Sequence, residues 1–172
     1  MDVMKAIGER FSCRAYLEKE VEEAKLKRVL EAARLAPSAR NMQDWSFVVV
    51  RDRETRRKLS DCAKGQKYVA QAPVVIAAVG TNIEYTMTCG HHTFLIDVTI
   101  AVDHLTLAAV EEGLATCWIG AFHEDQVRSL LGIPGTCRVV ALLPLGYPAE
   151  RAPKMKSRMA LEEIVRRERW GG

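Results

Sequence analysis

The chain has 172 residues, of which 48% are apolar and 27% charged. That is the balance of an ordinary globular protein with room for one sizeable core. Its net charge of +3, from 25 Lys and Arg against 22 Asp and Glu, is too small and dispersed to argue for a nucleic-acid partner. Met1-Asp2-Val3-Met4-Lys5 lacks the apolar stretch of a secretory leader, and the longest apolar candidate, residues 94–110, is interrupted by Asp97, Asp103 and His104. Cys13, Cys62, Cys89, Cys117 and Cys137 are odd in number and form no C-x-x-C, so the expectation is one cytoplasmic domain over residues 1–172 with reduced, mostly buried thiols.

Taken in order, residues 3–10 read as a short helix. Residues 10–16 then alternate: Arg10, Ser12 and Arg14 share one face if extended, with Phe11, Cys13 and Ala15 on the other. Two guanidiniums and a hydroxyl on one face suit a phosphate, because arginine offers a planar fork of donors; an edge strand with a solvated polar face would look the same. Residues 20–35 carry an apolar stripe at helical period, with Glu22 and Glu23 early and Arg34 late, as the helix dipole favours.

Ala36-Pro37 ends that helix. Ser38, Arg40, Asn41, Gln43 and Asp44 follow, more polar groups than a turn needs, before the strand 45–50. The stretch reads either as a solvated loop or as a polar cradle between two rigid elements. Residues 53–62 form an amphipathic helix, 65–72 a connector, and 74–79 a strand buried on both faces that ends at Gly80. Residues 81–90 are irregular. Cys89, His91 and His92 invite a zinc reading, but adjacent histidines share no helical face and no second ligand pair lies nearby at zinc spacing, so a helix-start role is expected instead.

The longest helix spans residues 92–112 and is closed by Gly113. It is apolar on most sides, so it lies in the core or against a second subunit; Asp97, Asp103 and His104 are read as hydrogen-bonding rather than catalytic. Residues 113–122 form a strand, 124–131 a short helix stopped by Gly132 and Pro134, and 137–145 a second apolar strand. The tail carries the basic run Arg151, Lys154, Lys156 and Arg158, then a helix over 161–169. Taken alone, the run is a solvated arm.

Five stretches together resemble the FMN-dependent nitroreductase family over nearly the whole chain: R-F-S-C-R; A-A-R-L-A-P-S-A-R-N-M-Q-D-W-S-F-V-V-V; I-D-V-T-I-A-V-D-H-L-T-L-A-A; G-L-A-T-C-W-I-G-A-F; and L-P-L-G-Y-P with the basic segment after it. The resemblance implies an α+β fold around a mostly antiparallel sheet, where helix–strand alternation alone suggests a parallel one. It also implies an intertwined homodimer with FMN at the interface. Arg10, Phe11, Ser12 and Arg14 would hold the phosphate and the pyrimidine side of the ring. Pro37, Ser38, Asn41 and Gln43 would reach the flavin from the partner. Trp118, Ile119 and Gly120 would lie along the ring, with the N–H of Gly120 or Ala121 facing N5, and Lys156 and Arg158 would return to the phosphate. The long helix would be the central interface element.

The activity implied is transfer of a hydride from NADH or NADPH through flavin N5 to a nitroaromatic, quinone or similar acceptor, in ping-pong fashion with no acid–base side chain. Other flavin chemistry on the same scaffold (dehydrogenase, dehalogenase or flavin-fragmenting) and a non-catalytic flavin-binding protein stay open. A Rossmann module does not fit, for want of G-x-G-x-x-G after the first strand. Two departures stand out. Asp44 replaces the proline of the usual Q-P-W, which sets a carboxylate beside the flavin site, and residues 80–92 form a short segment that implies an open pocket.

Overall fold

Seven apolar residues in a row form the middle of the molecule. The strand Val74–Gly80 (β2) is buried along its whole length, because both of its faces are covered. Trp45–Val50 (β1) pairs with it antiparallel on one side, from Trp45 opposite Gly80 to Val50 opposite Val75. Arg138–Gly146 (β4) pairs antiparallel on the other, from Val74 opposite Leu145 to Gly80 opposite Arg138, with one register shift after Ala78. Ala115–Thr116 (β3) adds to the far edge of β4, giving the order β1-β2-β4-β3. The parallel sheet suggested by simple alternation does not form; the antiparallel α+β arrangement does. The computed structural model describes residues 2–149 and 156–170, so Arg151 and Lys154 of the basic run lie outside the described residues.

Alternation along β2 divides the core in two. Val74, Ile76 and Ala78 face the helices Glu23–Arg34 (α2) and Thr93–Glu111 (α5), packing on Leu26, Val29, Val98, Val102 and Leu105. Val75 and Ala77 face Arg53–Cys62 (α3), Lys67–Gln71 (α4) and Glu124–Leu131 (α6), through Leu59, Val69 and Val127. The start of α5 is seated by Gly80, where a Cβ would fall 2.5 Å from the Phe94 ring. α3 starts where Asp52 Oδ1 accepts from the Thr55 N–H at 2.8 Å, and α6 ends on Gly132 at φ 66°.

α5 keeps a second, uncovered face. Ile96, Ile100, Asp103, Leu107 and Val110 recur at spacings of four and three on the side away from the sheet and are exposed or half-buried. By length and mean hydropathy α5 could cross a bilayer. This corrects the expectation that no apolar run reaches that length: two aspartates are diluted over 19 residues. Half of the helix is covered by the chain's own fold, including Asp97. A short helix, Val3–Glu9 (α1), packs beside α5 and leaves Val3, Met4 and Ile7 exposed.

Other boundaries move for physical reasons. α2 starts at Glu23, because Glu22 is extended. The supposed connector 65–72 contains α4. The expected strand 113–122 shrinks to two residues plus a bridge from Ile119 to Leu142. Its ladder breaks where Cys117 N–H donates to Pro144 O but proline has no N–H to return the bond. The C-terminal helix is only Leu161–Ile164 (α7), with Val165 extended after it. One turn without a packed face cannot propagate.

Candidate functional site

The N-terminal arm is an extended segment laid along β3. Arg10 leaves α1 in an extended conformation, and its N–H still donates to Ala6 O at 2.9 Å. Ser12 then bridges Thr116 in parallel, and Cys13 N–H donates to Thr116 O at 2.9 Å. The alternation read from sequence is realised: Ser12 and Arg14 are exposed, Cys13 is buried, and Phe11 and Ala15 are half-buried. Tyr16 locks the base of the arm. It bridges Pro148, and its hydroxyl lies 3.1 Å from Cys13 O and 3.2 Å from Pro144 O.

Three cations gather at the start of this arm. Lys156 Nζ donates to Ile7 O at 3.0 Å. Burial first, and then the charges of Arg10 and Arg158, hold its pKa below the ordinary lysine value. Among the described residues no carboxylate pairs with Arg10, Lys156 or Arg158, whereas Arg28, Arg34, Arg51, Arg57, Arg128 and Arg138 each meet one. A cavity of about 250 Å³ opens beside Arg10, lined also by Glu9, Phe11, Val110, Leu114 and Thr116 among others.

Past β3 the chain turns an open edge outward. Trp118 is 41% exposed, and Gly120 and Ala121 are exposed, with no acceptor for either N–H among the described residues. Between them Ile119 turns inward. Its side chain is buried, and its N–H and C=O are both spent on Leu142, at 3.0 and 3.1 Å. Two residues that the sequence reading passed over brace this edge. Gln66 Nε2 donates to Ala63 O at 2.8 Å and to Ala121 O at 3.2 Å, and the Tyr68 hydroxyl donates to Gln66 Oε1. Tyr68 also lies against Cys117 and Arg14. Burial raises its pKa first and the thiol adds to this, while the guanidinium opposes. The available signal was a glutamine and a tyrosine two apart within Gly65-Gln66-Lys67-Tyr68.

The polar stretch after Pro37 is a strained loop. Arg40, Asn41 and Gln43 have φ of 53°, 56° and 56°. Asparagine tolerates this region, whereas Arg and Gln each lose about 1–2 kcal/mol there. The loop is pinned at three points. Ala39 N–H donates to both Asp97 oxygens, at 3.2 and 3.1 Å. Ser38 Oγ accepts from Gln43 N–H at 3.0 Å. Asp44 accepts twice, from Asn82 Nδ2 at 3.0 Å on its carboxylate and from Thr81 N–H at 3.2 Å on its carbonyl. Asp44, expected as a carboxylate beside the flavin site, is thus also a staple to the segment after β2. Pro37, Asn41 and Gln43 remain exposed and Ser38 half-buried. The Arg40 guanidinium sits 5.9 Å from the Tyr85 ring centroid. Burial raises the Asp97 pKa, the Ala39 N–H opposes, and Asp44 adds to the rise. His92 precedes the first turn of α5, with Nδ1 3.4 Å from Thr86 Oγ1.

Arm and loop do not meet within one chain. The loop bonds α5 at Asp97, and the arm flanks it at Val110. Thirteen residues of helix separate these points by roughly 20 Å. The expected residues therefore do not form one cluster: Arg10 and Phe11 line the cavity at Val110, with Ser12 on Thr116 and with Lys156 and Arg158 near Arg10; Trp118, Gly120 and Ala121 follow along the outer edge of the sheet; and Pro37, Ser38, Asn41 and Gln43 lie on the loop bonded to Asp97.

The sequence matches the family described as the Nitroreductase family over residues 7–70 and 60–147. It is 31% identical to an NADH dehydrogenase of Thermus thermophilus over 202 aligned positions that span 96% of this chain and 95% of that one. Among solved structures, a nitroreductase family protein of Clostridium difficile 630 superposes with a TM-score of 0.89 at 32% identity, covering 99% of this chain and all of that one. An FMN-dependent nitroreductase of Clostridium difficile R20291 superposes with a TM-score of 0.86 at 27% identity, covering 97% and 99%.

Proposed function

This chain belongs to the nitroreductase family, and from that premise and the site's geometry we propose that it is an FMN-dependent oxidoreductase that passes electrons from NAD(P)H to a small nitroaromatic, quinone or similar acceptor. The observation that carries the cofactor assignment is the donor set. Three cations with which no carboxylate pairs among the described residues lie near an edge where the Gly120 and Ala121 N–H groups meet no acceptor among those residues, the pattern that suits a phosphate joined to a flat polar ring. When bound, FMN supplies the reversible two-electron chemistry, taking a hydride at N5 and giving it to a second substrate.

The chain's own residues bind and orient. Arg10, Lys156 and Arg158 would hold the phosphate, with Ser12 as a further donor. Arg14 would set positive charge at the pyrimidine side of the ring, where negative charge grows on reduction. The N–H of Gly120 or Ala121 would donate towards N5, and Trp118 would cover the ring edge. Ile119 contributes only by anchoring that edge to β4. Phe11 packs against the small cluster of Cys13, Tyr16, Ala72 and Ala115 and stiffens the arm.

The loop group requires a second copy. Pro37, Ser38, Asn41 and Gln43 would complete the partner's site, which makes the active species a homodimer. The uncovered face of α5 and the exposed Val3, Met4, Met159, Leu161, Ile164 and Trp170 supply apolar surface for it.

The test is direct. Purified protein should be yellow, release FMN on denaturation, sediment as a dimer, lose its flavin absorbance with NADH or NADPH, and regain it with a quinone or nitroaromatic. Colourless protein that takes up no added FMN overturns the cofactor assignment. Reduction without reoxidation by any such acceptor overturns the choice of acceptor.

A further inference from the structure

Gln66 and Tyr68 join the two parts of the site that the proposed chemistry depends on. The direction of each bond in that chain is fixed. Ala63 O and Ala121 O, at 2.8 and 3.2 Å, are acceptors only, so both take protons from Gln66 Nε2, and the amide must present its carbonyl oxygen to Tyr68. The Tyr68 hydroxyl therefore donates to Gln66 Oε1 and keeps its lone pairs for a donor. Two groups that can donate lie beside it, the Cys117 thiol and the guanidinium of Arg14, which also meets Ser12 O at 3.5 Å. A guanidinium has donors and no acceptor, so the polarity of the chain is consistent from end to end.

We infer that Gln66 and Tyr68 are positioning residues, a hydrogen-bond relay that holds the Arg14 guanidinium and the Gly120–Ala121 backbone in one rigid frame and so sets how much more tightly the site holds reduced FMN than oxidised FMN. The inference rests on the FMN assignment above. Preorganised donors favour the charged state because they need no reorganisation when charge appears. Arg14 is exposed on the extended arm, and ordering so long a side chain costs rotamer freedom. Tyr68 limits that freedom from one side. Gln66 ties the same hydroxyl to the carbonyl of Ala121, the residue whose N–H would face N5. Burial keeps the hydroxyl protonated across the neutral range, so the relay does not reverse.

The test is a redox titration of the FMN-loaded protein. Tyr68→Phe removes one oxygen and retains the ring that packs against Val69-side and Cys13-side core residues. It should lower the preference for reduced over oxidised FMN about tenfold, a shift of about 30 mV to more negative potential for a two-electron couple. Affinity for oxidised FMN should change less than threefold. Gln66→Met should give a shift of the same sign, and the double variant no more than the larger single one, because links in series fail together. In an Arg14→Lys background, Tyr68→Phe should have little further effect. An unchanged potential in both single variants overturns the inference, and so does an equal loss of affinity for both redox states, which is what general loosening would produce. Either result is distinguishable from wild-type protein that takes up no FMN, which overturns the cofactor assignment and this inference with it.

Discussion

The arm group and the loop group are both short polar stretches, and the fold holds them by different means. The arm is an ordinary extended segment bonded to β3 through Ser12 and Cys13. Its backbone is unstrained, and among the described residues no carboxylate pairs with Arg10, Lys156 or Arg158. The loop has three non-glycine residues at positive φ, held there by Asp97, Ser38 and Asp44. One group carries charge on a relaxed backbone. The other carries shape on a strained backbone pinned from beneath by carboxylates. A phosphate needs the first kind of partner, because charge-assisted bonds tolerate modest misplacement. A ring edge needs the second, because neutral polar contacts count only when aimed. If this division is right, the two groups should fail differently.

The largest difference is expected at the cations. Replacing both Arg10 and Lys156 with Ala removes two charge-assisted bonds to the phosphate, each worth about 1.5–3 kcal/mol. FMN should then bind at least about 100-fold more weakly, as read by flavin fluorescence titration, with thermal stability of the apo-protein little changed. Raising the salt concentration should weaken wild-type binding and have less effect on the double variant. Unchanged affinity would mean that the cluster is ordinary surface and that the arm binds nothing by charge.

The loop should fail through its anchor. Asp97→Ala leaves the Ala39 N–H without its acceptor, at a cost of about 1–3 kcal/mol, visible as a lower Tm and faster proteolysis at Arg40. Asp97→Asn keeps an acceptor oxygen and should keep the loop. The two variants also separate by pH. Burial raises the folded-state pKa of Asp97 above its ordinary value near 3.8, so in the window just above that value the folded chain holds more protons than the unfolded chain. Stability then falls as pH rises through that window. Asp97→Asn should flatten this part of the profile, losing no stability at neutral pH beyond that of the altered bond. A profile unchanged by Asp97→Asn would show that the carboxylate is as well satisfied charged as neutral.

The same contrast explains what was readable in the sequence. β2, α3, α6 and the arm were legible because hydrophobic period and the Arg10-Ser12-Arg14 alternation express local geometry directly. The truncation of β3 was not, because it depends on Pro144, 27 residues downstream, occupying the one position that should return a bond to Cys117. The inward placement of Ile119 was hidden for the same reason: its place in a strand-like motif does not reveal that Leu142 takes both of its polar groups. Asp44 stood out as a departure, but its role is set by Asn82, a contact no spacing rule encodes. Gln66 and Tyr68 were invisible as a pair, because their meaning lies in what they bridge. Antiparallel pairing came only from family resemblance, since helix–strand alternation is shared with parallel folds.

The smallest expected effect tests whether the loop's strain is separable from its use. Arg40 at φ 53° gives up about 1 kcal/mol that glycine would not, partly offset by the greater freedom of glycine in the unfolded chain. Arg40→Gly should therefore raise stability by about 0.5 kcal/mol, read as a higher urea midpoint at constant m, and leave FMN affinity within twofold, because the side chain lies over Tyr85 rather than among the groups assigned to the flavin. If the variant is instead less stable, the stacking of Arg40 on Tyr85 outweighs the backbone strain, and the loop is held from above as well as below. That outcome would sharpen the contrast with the arm: the loop would be a shape fixed from both sides, and Tyr85 would join Asp97 and Asp44 among the residues that maintain it.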